Sequence, residues 1–268
     1  MQHPGRTMHP TATLPDQRRR YLLEILGKDG KIVAAEVSQR LSVSEDTVRR
    51  DLNELAAAGL LRRVHGGALP LLPMTPAAAP FAVRLTEDVA ARAALGQMAA
   101  TLIRPGQTVL LDGGTTMLSV AQHLPLDLQA TIITPNLPAA LSLIDHPGIE
   151  IIVLGGHVDK TERISTGIAA WEALQDVSVD LCLLGVCGID AKAGMAELTL
   201  DGARLKRGMI AAAAEVATAV ASSKIGTRAP FPIGPVTDLT YLITERDISP
   251  ERLEPYRDAG VSVMLAAS

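Results

Sequence analysis

The apolar positions of this chain change their period near residue 70. Ahead of that point they fall at helical spacing. After a proline-containing tail over residues 1–14, read as disordered, Arg18 to Leu26 brings Tyr21, Leu22, Ile25 and Leu26 to one side, with Gly27 and Gly30 to end the helix. A second short helix over Val33 to Leu41 carries Ala34, Val37 and Leu41 on one face. Ser42-Val43-Ser44 is a polar turn in which Ser44 is a good N-cap, and Glu45 and Asp46 stand where the helix dipole favours negative charge. A third helix follows and stops at Gly59. Its Val48, Leu52 and Leu55 point inward, which turns Thr47, Arg50 and Glu54 outward, with Arg49 on the flank. Leu60 to Val64 is strand-like, His65-Gly66-Gly67 reads as a hairpin turn and Ala68-Leu69 as the return. Two short helices, a turn, an outward-facing third helix and a basic hairpin describe a winged helix-turn-helix, with Ser44, Thr47, Arg49, Arg50, Arg62, Arg63 and His65 as candidates for contact with double-stranded DNA.

Beyond a proline- and alanine-rich stretch from Pro70 to Pro80, the pattern becomes an alternation. A long helix is expected from Arg84 to about Ile103. Apolar strands follow at Thr108–Leu111, Thr131–Thr134, Ile149–Leu154, Leu181–Val186, Val216–Val220, Thr240–Thr244 and Val261–Leu265. Helices are expected up to His123, up to Ile144 and over about Thr199 to Ala214. Strands that are apolar throughout and alternate with helices predict a parallel sheet covered on both faces. The expected fold class is α/β: a small winged helix-turn-helix domain over 15–70, a linker over 71–82 and a larger α/β domain with a mostly parallel sheet over 83–268.

Composition refines this only at two points. Aromatic residues are 2% of the chain, which argues against single-strand binding on stacking platforms. Cys182 and Cys187 sit in an apolar run, more as core thiols than as sensors, and with two cysteines in all neither a disulfide framework nor a metal site is expected. The first seventeen residues contain no apolar signal region and no stretch has the length of a membrane span, so a reducing cytoplasm, no membrane and no cofactor are expected. The net charge of −4 hides an asymmetry: residues 1–68 hold 11 basic against 8 acidic side chains, and the remaining 200 hold 14 against 21. A polyanion partner therefore belongs at the N-terminus.

The stretch VSEDTVRRDLNELAAAGLLRRVHGGAL resembles the signature of the DeoR family of bacterial repressors in its Ser-x-x-Thr-x-Arg-Arg-Asp-Leu core and its Arg-Val-His-Gly-Gly-Ala wing. The similarity continues through LLDGGTT, LGGHVDKTERISTG and ASSKIG, blocks that look like the family's C-terminal sensor domain. That resemblance implies a fold like the ribose-5-phosphate isomerase group and a phosphorylated sugar or polyol as effector. Carried across, it implies Asp112, Gly114, Thr115, Thr116, Asn136, Gly155, Gly156, Gly185 and Lys224 as effector-site residues, with Arg163, Lys206 and Arg207 as further cations for a phosphate. The residues themselves support such a site. Each Gly- or Asn-bearing loop directly follows a strand, and Thr115 and Thr116 open a helix at the carboxyl edge of the sheet. Two departures from the family pattern stand out: Ala221 ahead of Ser-Ser-Lys, where an acidic residue is usual, and Thr-Pro-Asn-Leu around Asn136, where Thr-Asn-Ser is.

Each candidate also has a structural reading. Arg49 and Arg50 could be solvated helix charges and Thr47 a cap. Asp51 is expected to pair with a neighbouring arginine, and Gly66 and Gly67 to serve backbone geometry. His157 reads as a loop residue and Trp171 as packing. Two rivals to a repressor can be weighed on the residues. A sugar-phosphate isomerase with an appended DNA-binding domain would need paired carboxylates after the fourth strand, where Gly185 to Asp190 lacks them. A sequence-indifferent DNA binder would need more than the modest positive excess at the N-terminus. Reading an operator with two recognition helices implies a homo-oligomer, at least a dimer.

Overall fold

The computed structural model describes residues 15–29, 31–57, 61–70 and 79–267. The expected tail over 1–14, the helix stop at Gly59 and most of the expected linker lie outside them. Clustering of contacts divides the chain into two units, before and after Pro73.

The first unit is built from α1 (Pro15–Asp29), β1 (Ile32–Val33), α2 (Ala34–Leu41), α3 (Glu45–Ala57), β2 (Leu61–Val64) and β3 (Gly67–Pro70). The apolar stripes read from the sequence meet: Leu22, Leu26, Val37, Leu41, Val48, Leu52 and Leu55 are buried together with Ile32, Leu61 and Ala68. β2 and β3 form the hairpin, and β1 adds antiparallel to β3 as a third strand. The sequence pattern does not announce β1, because two residues are too few to show an alternation. Gly67 explains why it can approach: a Cβ there would stand 1.9 Å from the Ile32 carbonyl oxygen. α1 runs through Gly27 to Asp29, past the expected stop, because Leu22, Ile25 and Leu26 anchor it and tertiary packing overrides the low helix propensity of one glycine.

The second unit contains α4 (Phe81–Arg84), α5 (Val89–Ala100), β4 (Thr108–Leu111), α6 (Thr115–Gln122), β5 (Ala130–Thr134), α7 (Leu137–Ser142), β6 (Ile149–Val153), β7 (His157–Asp159), β8 (Ile164–Thr166), α8 (Ile168–Gln175), β9 (Val179–Leu184), β10 (Gly188–Asp190), β11 (Gly194–Glu197), α9 (Leu200–Ala211), β12 (Ala213–Ala219), β13 (Phe231–Gly234), β14 (Tyr241–Glu245), α10 (Glu254–Asp258) and β15 (Ser262–Ala266). Seven strands form one sheet in the order β15-β14-β12-β9-β4-β5-β6, and every pairing in it is parallel. The period of two sends Leu110, Cys182 and Leu184 to a core on one face and Val109, Leu111, Leu181 and Leu183 to a core on the other. That two-faced burial is why these strands are apolar throughout.

Three expectations need correction. The long helix from Arg84 to Ile103 is two helices, α4 and α5, broken over residues 85–88. Asp88 takes a left-handed backbone (φ 44°), and Arg92 from α5 donates to the carbonyls of Arg84, Leu85 and Glu87 (2.6–2.8 Å), so side-chain bonds replace helical ones across the break. α7 ends at Ser142 instead of Ile144. The antiparallel hairpin β7–β8 and the three-stranded sheet of β10, β11 and β13 are additions to the expected elements, since strands of three or four residues carry no sustained alternation. Among the described residues no helix is long and apolar enough to cross a membrane.

The chain order places the crevice. From β4 it moves outward through β5 to β6, then returns to β4's other side with β9 and moves away through β12, β14 and β15. The direction reverses between β4 and β9. At such a point the strand-following loops part and leave a crevice at the carboxyl ends of the strands. Asp112 follows β4 and Gly185 follows β9.

Candidate functional site

In the first unit the outward face of α3 divides into residues held by neighbours and residues left to solvent. Ser44 caps α3, its hydroxyl accepting the Thr47 amide at 3.2 Å and lying 2.9 Å from the Thr47 hydroxyl. Arg49 is exposed and pairs with Glu45 (3.0 Å) and Asp46 (3.4 Å). Asp51 is buried and accepts both arms of the Arg18 fork from α1, so its partner is a helix away instead of adjacent in sequence. Arg63 donates to Asn53 on α3 (2.9 Å) and to the Gly67 carbonyl, which ties the wing to the helix. Arg50 and Arg62 are exposed and form no ion pair among the described residues, and His65 is exposed at the hairpin turn. Exposed cations at the helix and at the wing are what phosphate contact requires.

In the second unit a cavity of 330 Å³ opens at the switch point, lined by Asp112, Gly114, Thr115, Thr116, Gly185, Lys206 and Lys224 together with Arg84, Asp159, Glu162, Cys187, Glu197 and Thr199. α6 points its N-terminus into it. Gly114 precedes the helix at φ 101°, and no side chain caps the first turn, so the amides of Thr115, Thr116 and Met117 have no intrahelical acceptor. Joined through Asp112 to the loop that leads into α6 lies an ionic knot. Lys206 Nζ donates to Asp112 Oδ2 (2.5 Å) and the Gly185 carbonyl (2.8 Å), and stands 3.4 Å from Glu197. Asp112 in turn accepts the amides of Gly113 (2.7 Å) and Gly185 (2.8 Å). Burial works against the Lys206 ammonium, but Asp112 and Glu197 outweigh it and raise its pKa, so it remains charged. Burial likewise disfavours the Glu197 carboxylate, yet Lys206 holds it below the ordinary range.

Lys224 is different. It is half-buried, donates only to the Val186 carbonyl (3.0 Å) and forms no ion pair among the described residues. Burial lowers its pKa to about 8, with Arg84 and Lys206 adding repulsion. A lysine without an ion pair among the described residues and uncapped helix amides lining the same cavity are groups that favour an anion. Burial and the nearby Glu197 push the Cys187 thiol up to about 12, so it is no thiolate at neutral pH.

Residues 18–71 match the DeoR-like helix-turn-helix domain and residues 87–246 match the DeoR C terminal sensor domain. The chain belongs to the DeoR family. Among curated DeoR-type relatives, the HTH-type transcriptional regulator GolR of Listeria innocua is 29% identical over 94% of this chain and 99% of its own length. The HTH-type transcriptional repressor GlcR of Bacillus subtilis is 32% identical over 86% and 88%. The glycerol-3-phosphate regulon repressor of Escherichia coli is 30% identical over 85% and 90%. Of solved structures, the full-length sorbitol operon regulator SorC of Klebsiella pneumoniae aligns with 80% of this chain and 92% of its own at 10% identity and TM-score 0.38, too distant to carry any argument.

Against this DeoR-type sensor domain the sequence candidates separate. Asp112, Gly114, Thr115, Thr116, Gly185, Lys206 and Lys224 line the cavity. Asn136, Gly155, Gly156, Arg163 and Arg207 do not. Asn136 is fully buried beneath it: Nδ2 donates to the carbonyls of Asp112 (3.3 Å) and Gly114 (3.1 Å) while Oδ1 caps α7. It holds the loop over residues 112–114 from behind. Gly156 lets the β7–β8 hairpin close, a Cβ there standing 2.4 Å from the Thr166 carbonyl oxygen, and Gly155 is exposed. Arg163 lies over the Phe81 ring at 5.1 Å, and Arg207 ties α9 to the carbonyls of Pro232 and Ile233. The sequence reading missed Arg84, Asp159, Glu162, Glu197 and Thr199. Arg84 and Glu162 reach the cavity from elements whose bounds or existence the pattern did not give. Glu197 carries no local signal beyond its charge.

Proposed function

We propose that the chain is a transcriptional repressor that binds operator DNA as a dimer or larger homo-oligomer and is released by a phosphorylated sugar or polyol held in the cavity. α3 lies in the major groove with Thr47 and Arg50 toward the bases and phosphates, and Arg62 and His65 of the wing meet the backbone. Ser44 acts by capping α3, and Arg49 and Arg63 support the face through their partners on it. The observation that carries the effector reading is that the uncapped N-terminus of α6 and Lys224 line one cavity. The phosphoryl group takes the amides and hydroxyls of Thr115 and Thr116 together with Lys224, and the sugar hydroxyls take Asp159 and Thr199. A cavity of 330 Å³ is at the small end for ligand sites, in keeping with a sugar phosphate. The names of two relatives, a glycerol-3-phosphate regulon repressor and the repressor GlcR, support the repressor half of this reading, and the first names a phosphorylated polyol.

The two carboxylates that the sequence left to the isomerase rival are not available to it: Asp112 is engaged, and Asp190 does not line the cavity. A general base needs a free carboxylate oxygen near the substrate. Both oxygens of Asp112 already accept bonds from Gly113, Gly185 and Lys206, and Asp190 closes a turn through the amides of Lys192 and Ala193 and pairs with Arg228. Fluorescence anisotropy on the DNA upstream of the chain's own gene, with a panel of sugar and polyol phosphates, tests the proposal. Sequence-specific binding released by one compound is expected. Binding to no sequence, or turnover of ribose 5-phosphate by the purified protein, would sink it.

A further inference from the structure

Arg84 lines the cavity, yet it belongs to α4, the first element of the second unit among the described residues, on the side from which the chain arrives from the DNA-binding domain. α4 is a single turn, too short to be stable alone, so its order depends on what holds it. Four tethers do so. Phe81 is fully buried with Arg163 stacked over its ring, Arg84 Nε donates to the Ala79 carbonyl (2.8 Å), Arg84 Nη2 pairs with Glu162 of the β7–β8 turn, and Arg92 grips the carbonyls of Arg84, Leu85 and Glu87. The third arm of the guanidinium, Nη1, donates to nothing among the described residues. It lies 3.8 Å from where a Cβ on Gly114 would stand, beside the uncapped first turn of α6.

From this placement we infer that Arg84 is the residue through which an anion in the cavity acts on the chain that leads to the DNA-binding domain. The inference rests on the proposal that the cavity takes a phosphoryl group. Arginine presents its donors in one rigid plane, so a phosphate oxygen on Nη1 is bridged to Ala79 and Glu162 without either bond breaking. The anion then clamps residues 79–85 against the β7–β8 turn and α6. Arg84 is thus a positioning residue for regulation as well as a ligand contact, and Glu162 holds its fork in place while the cavity is empty.

Hydrogen exchange on the full-length protein, with inorganic phosphate as the probe, tests this separately from the cavity assignment. In the wild type, phosphate is expected to slow exchange at residues 115–117 and also at Val83, Arg84 and Leu85. At the second group the slowing should be about fivefold or more, the low end of ordinary coupling between sites. In Arg84→Ala, a higher phosphate concentration still protects 115–117, but protection at 83–85 is lost. Should Arg84→Ala fold poorly, Arg84→Lys keeps the charge without the planar fork and is expected to lose the protection at 83–85 in the same way. Protection of 115–117 without any at 83–85 in the wild type overturns the inference and leaves the cavity assignment standing. So does protection at 83–85 that persists in both variants. Protection at neither segment removes the cavity assignment and the inference with it.

Discussion

Two lysines in one cavity have opposite roles, and their partners decide which. Lys206 has a carboxylate at 2.5 Å, a carbonyl and a second carboxylate, so its charge is neutralised inside the protein and joins β4 to β9 through Asp112 and Gly185. Lys224 has a single carbonyl and a pKa lowered to about 8, so its charge is left for the proposed anion. Because the protonated form binds the anion, affinity for a phosphate monoester should fall as pH rises through about 8. It should also weaken below about 6, where the phosphate's second proton returns. Isothermal titration across pH 5.5 to about 9.5 checks this bell shape, and Lys224→Met should flatten its upper limb. At the DNA face, Arg50→Ala should abolish operator binding, or at least lower the salt slope of log K by about 1, with effector affinity unchanged. Thr116→Ala should do the reverse, and loss of both activities in both variants would refute the division into two sites.

At the scale of elements, function depends on pieces that hold each other's ends. Asn136 caps α7 with one side-chain atom and carries the Asp112 and Gly114 carbonyls with the other, so the loop over residues 112–114 is as firm as the α7 cap. Asn136→Ala removes the cap and leaves two carbonyls without their donor. Urea denaturation should show a loss of about 2 to 4 kcal/mol together with weaker effector binding. An unchanged midpoint would show that water replaces the amide. In the DNA-binding unit, Arg18 to Asp51 and Arg63 to Asn53 fix α3 against α1 and the wing, which leaves Arg50 and Arg62 the exposed cations at the proposed contact face.

For the whole molecule the question is coupling. An effector releases DNA only through different affinities for the DNA-bound and DNA-free forms, and linkage makes that factor reciprocal. Operator DNA should therefore weaken effector binding by the same factor by which effector weakens operator binding, in the range of about 5- to 150-fold. Measuring both legs with the same protein checks it; unequal factors would mean that a further equilibrium, such as assembly, is involved.

Much of this architecture is legible in the order of the residues alone. The helical stripes of the first fifty residues, the Ser44 cap and the wing hairpin follow from local rules of spacing, capping and turns, which is why that domain can be read nearly to the residue. The seven parallel strands are legible as mostly apolar runs because the central ones are buried on both faces, although edge strand β6 keeps Ile152 and Val153 exposed, and the chain order places Asp112, Thr115 and Gly185 on one edge. Which polar groups meet is a matter of packing. No local pattern shows that Asn136 lies under the loop over residues 112–114, that Arg163 and Arg207 turn away from the cavity, that Lys206 is neutralised by Asp112 and Glu197, or that Arg84 reaches from α4 to Glu162. Apart from Lys206 with nearby Glu197, those pairings join residues tens of positions apart, and they are set by the strand order and by the demand that buried charges find partners. Local rules along the chain settled the kinds of element and the loops that could hold a ligand. Long-range packing settled which of the cavity's lysines is neutralised and which has no ion pair among the described residues.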